Sequence, residues 1–132
     1  MLPTEPLVVH EEESKFESGK LEITGPVRWT TLLSADRTPT SEIVLGLAEI
    51  EPGESGEFRQ HSHDHAEAYY ILSGHGVVTI SNNDYLVRSG TTIFFPRGAE
   101  HRTINTGLKP LRFLYVFPAD SFEQIDYKFT EL

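Results

Sequence analysis

Three of the six histidines in the chain lie in one short segment, HSHDHAE at residues 61–67. Alternate side chains of an extended strand point to the same face, so this segment would place three imidazoles beside the Glu67 carboxylate and the Tyr69 phenol. Burying such groups without partners is costly, and a divalent ion that binds imidazole and carboxylate removes that cost. The alternative is an exposed polar strand whose histidines hold no specific ion, and composition alone favours neither.

The composition of the chain excludes several other kinds of site. The 132 residues, 38% of them hydrophobic, suit one domain. Eleven Lys and Arg against twenty Asp and Glu give a net charge of −9 without a basic cluster, so we expect no nucleic-acid partner. The chain has no cysteine, which rules out disulfides, thiolate nucleophiles and cysteine-bound metals.

Membrane and export signals are also missing from the sequence. The longest apolar stretch, residues 111–119, contains Arg112 and is far shorter than the roughly twenty residues of a spanning helix. The first twenty residues lack the pattern of a secretory signal. We therefore expect a cytoplasmic protein with no membrane partner.

Short segments rich in Val, Ile, Thr, Tyr and Phe, separated by Gly, Pro, Asn and Asp, predict an all-β fold in a single domain. The predicted strands are residues 27–33, 43–50, 58–63, 67–72, 76–81, 85–88, 91–95, 101–105 and 111–117. A helical turn is predicted over residues 119–125, with Asp120 or Ser121 as its cap. The polar, aperiodic start of the chain predicts a solvated arm over residues 1–22, followed by one β-barrel domain over residues 23–132.

Two spaced motifs resemble those of the cupin superfamily. The first reads His61-Ser62-His63, three residues, Glu67, six residues, Gly74; the second reads Gly90, five residues, Pro96-Arg97-Gly98, two residues, His101, three residues, Asn105. One spacing departs from the family, because four residues rather than the usual five separate Gly56 from His61. The resemblance covers about residues 42–118 and implies a double-stranded β-helix, the cupin or jelly-roll barrel.

The same resemblance implies one divalent transition metal ion per chain, held by His61, His63, Glu67 and His101. Iron, manganese, nickel, zinc, cobalt and copper all suit such ligands, so the sequence does not identify the metal. His65 does not fit the family spacing and is expected beside the site or at its mouth. Four ligands leave open coordination positions, which is typical of a catalytic site.

Tyr69, on the strand face of Glu67, and Tyr127, near the C-terminus, are the candidate acids or bases beside the ion. The segments GPVRW at 25–29, LGLAEIEPG at 45–53 and FPADSF at 117–122 resemble cupin-type lyases that cleave dimethylsulfoniopropionate into dimethyl sulfide and acrylate. That resemblance implies that the metal holds the substrate carboxylate, that Tyr69 removes the adjacent proton and that Tyr127 supports it. Trp29 or Phe95 could then receive the sulfonium cation.

Other functions use the same ligand set. A metal-dependent dioxygenase, isomerase or polyketide cyclase would differ in the lining of its pocket, and a cupin without catalysis would bind a small molecule unchanged. In every case we expect a small-molecule ligand and a homodimer, in which the N-terminal arm crosses an edge strand of the neighbour.

Two further sets of residues are assigned from the sequence alone. The candidates for holding a substrate carboxylate are Arg28, Arg59, Arg97 and Arg102. Arg102 is the weakest of them, because it points away from the strand face shared by His101 and Asn105. Seven aromatic residues are expected in the core or the pocket lining, most of them in the core: Phe58, Tyr70, Phe94, Phe95, Phe113, Tyr115 and Phe117.

Overall fold

The computed structural model describes residues 2–53 and 56–130, and most of its regular structure is β-strand. The strands are β1 (Glu17–Ser18), β2 (Val27–Leu33), β3 (Val44–Ile50), β4 (Glu57–Ser62), β5 (Glu67–Ser73), β6 (His75–Ile80), β7 (Asn83–Arg88), β8 (Thr92–Phe95), β9 (His101–Asn105), β10 (Leu111–Phe117) and β11 (Lys128–Phe129). Within the described residues, helix is confined to α1 (Leu21–Thr24) and two 3₁₀ turns at Glu11–Glu13 and Phe122–Gln124. No helix in these two ranges is long and apolar enough to cross a membrane.

Two antiparallel sheets enclose the core. The larger has the order β1-β2-β3-β10-β5-β8 and the smaller the order β11-β4-β9-β6-β7. Buried and half-buried residues alternate along β9 and β10, as expected for strands with one face towards the core. His101, Thr103 and Asn105 form the buried face of β9, and Arg102 lies on the other face as predicted. The predicted all-β jelly-roll fold is confirmed.

All nine predicted strands are present, and three of them, β2, β9 and β10, have the predicted bounds. The largest difference is β7, which begins at Asn83, two residues before its predicted start at Tyr85. Ser81 and Asn82 have φ values of 48° and 70°, so they alone form the hairpin turn. The predicted helical turn near residue 120 is the short 3₁₀ turn that follows Ser121.

The N-terminal arm packs against its own barrel. β1 pairs with β2 of the same chain. The predicted contact of the arm with a neighbour's edge strand stays a prediction. The Phe16 ring lies 4.1 Å from the Arg28 guanidinium, and Glu11 Oε2 lies 3.3 Å from Arg112 Nη2. The division of the chain at residue 22 stays a prediction, and its outer limits at residues 1 and 132 lie outside the described ranges.

Candidate metal centre

The four predicted ligands come from both sheets. His61 lies on β4 and pairs with His101, the first residue of β9, so these two imidazoles are neighbours in the smaller sheet. β4 ends at Ser62 and β5 begins at Glu67 in the larger sheet. The chain therefore crosses between the sheets at residues 63–66, and the carboxylate approaches the imidazoles from the opposite side.

This crossing corrects the expectation of one continuous strand face from His61 to Tyr69. The segment between His63 and Ala66 is not strand, because it turns the chain from one sheet to the other. His65 is half-buried in this turn and belongs to no group of converging ligand atoms in the described part of the chain. Its backbone oxygen instead lies 2.9 Å from His63 Nδ1, so it orients that ring.

The side chains of the four residues converge in the interior. His61, His63, Glu67 and His101 are only 1–3% exposed. One nitrogen from each imidazole lies within 4.8 Å of the others. Glu67 Oε1 lies 3.1 Å from His63 Nε2 and 3.3 Å from His101 Nε2.

Backbone oxygens fix the orientation of the three rings. His61 Nδ1 lies 2.7 Å from the backbone oxygen of Arg59, and His63 Nδ1 lies 2.9 Å from that of His65. His101 Nδ1 lies 3.0 Å from the backbone oxygen of Ala99. A neutral imidazole carries one N–H, and if Nδ1 donates it, the Nε2 lone pair faces the centre.

The centre then has acceptors without a donor. Nε2 of His61 and of His101 is buried and forms no hydrogen bond with the described residues, since the Glu67 oxygen 3.3 Å from His101 Nε2 does not have hydrogen-bond geometry. Nε2 of His63 faces the carboxylate of Glu67, which also offers only lone pairs when ionised. Such converging lone pairs are costly when buried, and a divalent transition metal ion would satisfy all of them. The residues present therefore fit the metal implied by the sequence motifs.

The electrostatics of His61 suit the same role. Burial lowers the pKa of His61 well below its usual value, and the nearby His101 and His63 rings lower it further. The imidazole is therefore neutral near pH 7, which is the form that binds metals.

A cavity of about 230 Å³ adjoins this centre. Its walls are mainly aromatic and aliphatic, with two carboxylates: Thr24, Val27, Trp29, Ala48, Phe58, Glu67, Tyr69, Phe113, Tyr115, Phe122, Glu123, Ile125 and Tyr127. Glu67 is both a candidate ligand and a wall residue, so the cavity borders the centre through this carboxylate, whereas none of the three histidines is a wall residue. None of these lining residues carries a positive charge.

Both candidate tyrosines line the cavity. Tyr69 is buried between Phe95 and Phe113, with ring centroids 4.6 and 4.3 Å away. The Tyr127 ring lies 5.0 Å from His61 and 5.3 Å from His63. Burial, reinforced by the charge of Glu67, raises the pKa of both phenols well above the usual value. The structure thus brings these two residues to the same space as Glu67.

The four arginine candidates do not reach the cavity. Each forms an ion pair elsewhere: Arg28 with Glu49, Arg59 with Glu57, Arg97 with Asp64 and Arg102 with Glu57. The expectation that one of them holds a substrate carboxylate is wrong for this structure, because the acidic partners bind them outside the cavity.

The aromatic residues largely follow the prediction. Five of the seven are buried, whereas Tyr70 and Phe94 are 46% and 67% exposed on the outer face of the larger sheet. Trp29 lines the cavity, but Phe95 packs 4.2 Å from the His101 ring and is not a wall residue. Phe122, Glu123 and Ile125 also line the cavity, which no local sequence pattern indicates, because they reach it only when the C-terminal segment folds back.

Comparison with known proteins agrees with the fold and the site. The family model of the cupin domain matches residues 46–117. The chain therefore belongs to the cupin family. It is also 38% identical over 129 residues to the dimethylsulfoniopropionate lyase DddW of Ruegeria pomeroyi, covering 98% of this chain and 83% of that protein.

Other relatives carry different activities. The glucose-6-phosphate isomerase of Thermococcus litoralis is 39% identical over 84 residues, but the match covers 54% of this chain and only 44% of that enzyme. The solved structure of the polyketide cyclase RemF from Streptomyces resistomycificus superposes with a TM-score of 0.80 over 97% of this chain and 87% of that one. Its sequence identity is 22%, so this likeness concerns the fold alone.

Proposed function

We propose that the protein is a metal-dependent lyase that cleaves dimethylsulfoniopropionate, or a close analogue, into an unsaturated carboxylate and a neutral sulfide. The observation that carries the proposal is the convergence of unpartnered imidazole nitrogens at an aromatic cavity without positive charge. The near full-length similarity to a dimethylsulfoniopropionate lyase supports the same reaction.

In the proposal His61, His63, Glu67 and His101 hold one divalent transition metal ion. The bound ion would supply positive charge that holds a substrate carboxylate, acidifies the carbon beside it and favours the phenolate form of a nearby tyrosine. The backbone oxygens of Arg59, His65 and Ala99 keep the ligand rings oriented. The apolar walls exclude water, which strengthens electrostatic interactions in the cavity.

Tyr69 is the proposed base, because it lines the cavity and its ring is held between Phe95 and Phe113. In the phenolate form, which the bound ion would favour, its oxygen takes the proton from the carbon next to the carboxylate, and the released electron pair forms the carbon–carbon double bond. The bond from the next carbon to sulfur breaks, and its electron pair leaves on dimethyl sulfide. Acrylate remains, and the proton passes from Tyr69 to solvent. Tyr127, beside His61 and His63, supports substrate orientation.

Acrylate formation by metal-loaded protein, followed by NMR at millimolar substrate, tests the proposal. We expect Tyr69→Phe to reduce kcat by at least 100-fold, the scale of general-base catalysis. The matched control is Tyr70→Phe, since Tyr70 is the next residue but lies exposed on the outer face. Absence of acrylate with every divalent transition metal would refute the lyase, and oxygen uptake by iron(II)-loaded protein would assign an oxygenase instead.

We also propose that the protein is a homodimer formed along β8, the edge strand of the larger sheet, with the apolar side chains exposed beside that edge at the same contact. Tyr70, Leu72 and Phe94 are exposed there, and β8 is an edge strand without a charged residue. Unprotected edges of this kind pair with other chains, and a two-fold axis would join two copies of β8.

Light scattering should give twice the chain mass of 14.9 kDa. Phe94→Lys should give the single-chain mass, whereas Leu108→Lys, at an exposed residue outside any strand, should not. A single-chain mass for the unmodified protein would contradict the dimer. The cytoplasmic location stays a prediction, which cell fractionation checks.

A further inference from the structure

The cavity has a second carboxylate that the reaction above does not use. Glu123 is exposed, yet it lines the cavity, so it lies at the cavity opening. It occupies the 3₁₀ turn Phe122–Gln124. Its side chain forms no ion pair or hydrogen bond with any residue in the described ranges, although most surface arginines of the chain are paired. A carboxylate that is free of protein partners at the opening remains available to a bound molecule.

Aromatic rings connect the metal centre to this carboxylate. Tyr127 lies beside the His61 and His63 rings, Phe122 lies 6.0 Å from Tyr127, and Trp29 lies 6.2 Å from Phe122. Glu123 directly follows Phe122 in the chain. Trp29, Phe122 and Glu123 all line the cavity, so its walls combine aromatic faces with a second negative charge besides Glu67.

That combination favours a positively charged group. Aromatic faces attract cations through their quadrupoles, and an organic cation, which has a weak hydration shell, gains further from a carboxylate nearby. A second anionic group would be repelled there, because no lysine or arginine lines the cavity. We propose that Glu123 determines specificity by selecting molecules with an onium group opposite their carboxylate. This inference rests on the proposed function, since the carboxylate end is assigned to the metal centre.

Two carboxylate compounds of nearly equal shape distinguish the effect of charge from the effect of size. In 3-(trimethylammonio)propanoate the far end is a cation, and in 4,4-dimethylpentanoate a carbon atom replaces the nitrogen. Calorimetric titration of the metal-loaded protein gives the ratio of the two dissociation constants. We expect 3-(trimethylammonio)propanoate to bind more tightly, and Glu123→Gln to reduce that preference about three-fold, as for a solvent-accessible ion pair. The far end of 4,4-dimethylpentanoate is uncharged, so its affinity should not fall in Glu123→Gln.

Asp126→Asn is the matched control, because Asp126 is an exposed carboxylate three residues away that does not line the cavity. It should leave the preference unchanged. In the lyase assay Glu123→Gln should raise KM for dimethylsulfoniopropionate and leave kcat within two-fold. Raised salt should weaken the cation preference of the unmodified protein and have little effect on Glu123→Gln.

The binding experiment does not depend on turnover. If Glu123→Gln prefers 3-(trimethylammonio)propanoate less strongly than the unmodified protein does, the inference is supported even if the protein makes no acrylate. A preference that is equal in the unmodified protein and Glu123→Gln overturns the inference even if acrylate is formed. An equal loss in Asp126→Asn, or binding of neither compound, also overturns it.

Discussion

Gly46 on β3 is the residue whose replacement tests the shape of the cavity most sharply. A Cβ atom at this position would lie 2.1 Å from Cζ and 2.2 Å from Oη of Tyr115, where ordinary contacts begin at 3.4 Å. The Tyr115 ring, only 5% exposed, would have to move by about 1 Å against its neighbours. Forced displacement of this kind costs about 1–3 kcal/mol of unfolding free energy.

The expected change in unfolding free energy is opposite to the one expected where a glycine has free space for a Cβ atom. Gly46 does not have a positive φ, so without the clash alanine would stabilise the strand by about 0.5–1 kcal/mol. We therefore expect Gly46→Ala to lower the unfolding free energy measured in urea. In a Tyr115→Leu background the same change should be neutral or stabilising, because the ring is gone.

Tyr115 also lines the cavity, so Gly46→Ala should weaken substrate binding and leave the metal content unchanged. The reasoning is refuted if Gly46→Ala is as stable as the unmodified protein. It is equally refuted if the loss persists in the Tyr115→Leu background.

Two further predictions concern buried polar groups. Burial raises the pKa of the Tyr115 phenol, so the unfolded chain loses this proton first, and stability falls as pH rises above about 10. Tyr115→Phe should reduce the loss of unfolding free energy between pH 9 and 11 by about 1 kcal/mol, and an unchanged slope would contradict the assignment. Asn105 donates to the backbone oxygens of Ile50 and Lys109 at 2.8 Å and accepts from Gly107 N at 2.9 Å. Asn105→Ala should therefore cost about 2–3 kcal/mol in chemical denaturation, whereas a loss below about 0.5 kcal/mol would show that these bonds are replaced by water.

The positions of the strands and of the converging side chains followed from local patterns in the sequence. His101 and Asn105 share a face because four residues along a strand restore its two-residue period. The motif spacing predicted His61, His63, Glu67 and His101 as one ligand set. In the structure the three imidazoles offer nitrogens within 4.8 Å of one another, and Glu67 lies 3.1 Å from His63 and 3.3 Å from His101.

The remaining features depend on contacts distant in sequence. Strand period could not show that the chain crosses between the sheets at residues 63–66, which removes His65 from the face of His61. The strand period also could not show which acidic residue pairs with each arginine, and Arg102 forms an ion pair with Glu57 on the neighbouring strand. Nor could it show that Phe122 and Glu123 fold back over the cavity, since their local sequence predicts only a turn.

The claim on which the account depends is that the buried imidazoles and Glu67 bind one metal ion. Elemental analysis of untagged protein, beside the double variant His63→Ala, His101→Ala, measures this directly. His10→Ala, at an exposed histidine of the N-terminal arm, is the control. The account predicts about one equivalent of a transition metal per chain in the unmodified protein and in the control, and almost none in the double variant. Equal metal content in all three proteins, or none in the unmodified protein after reconstitution, would contradict it.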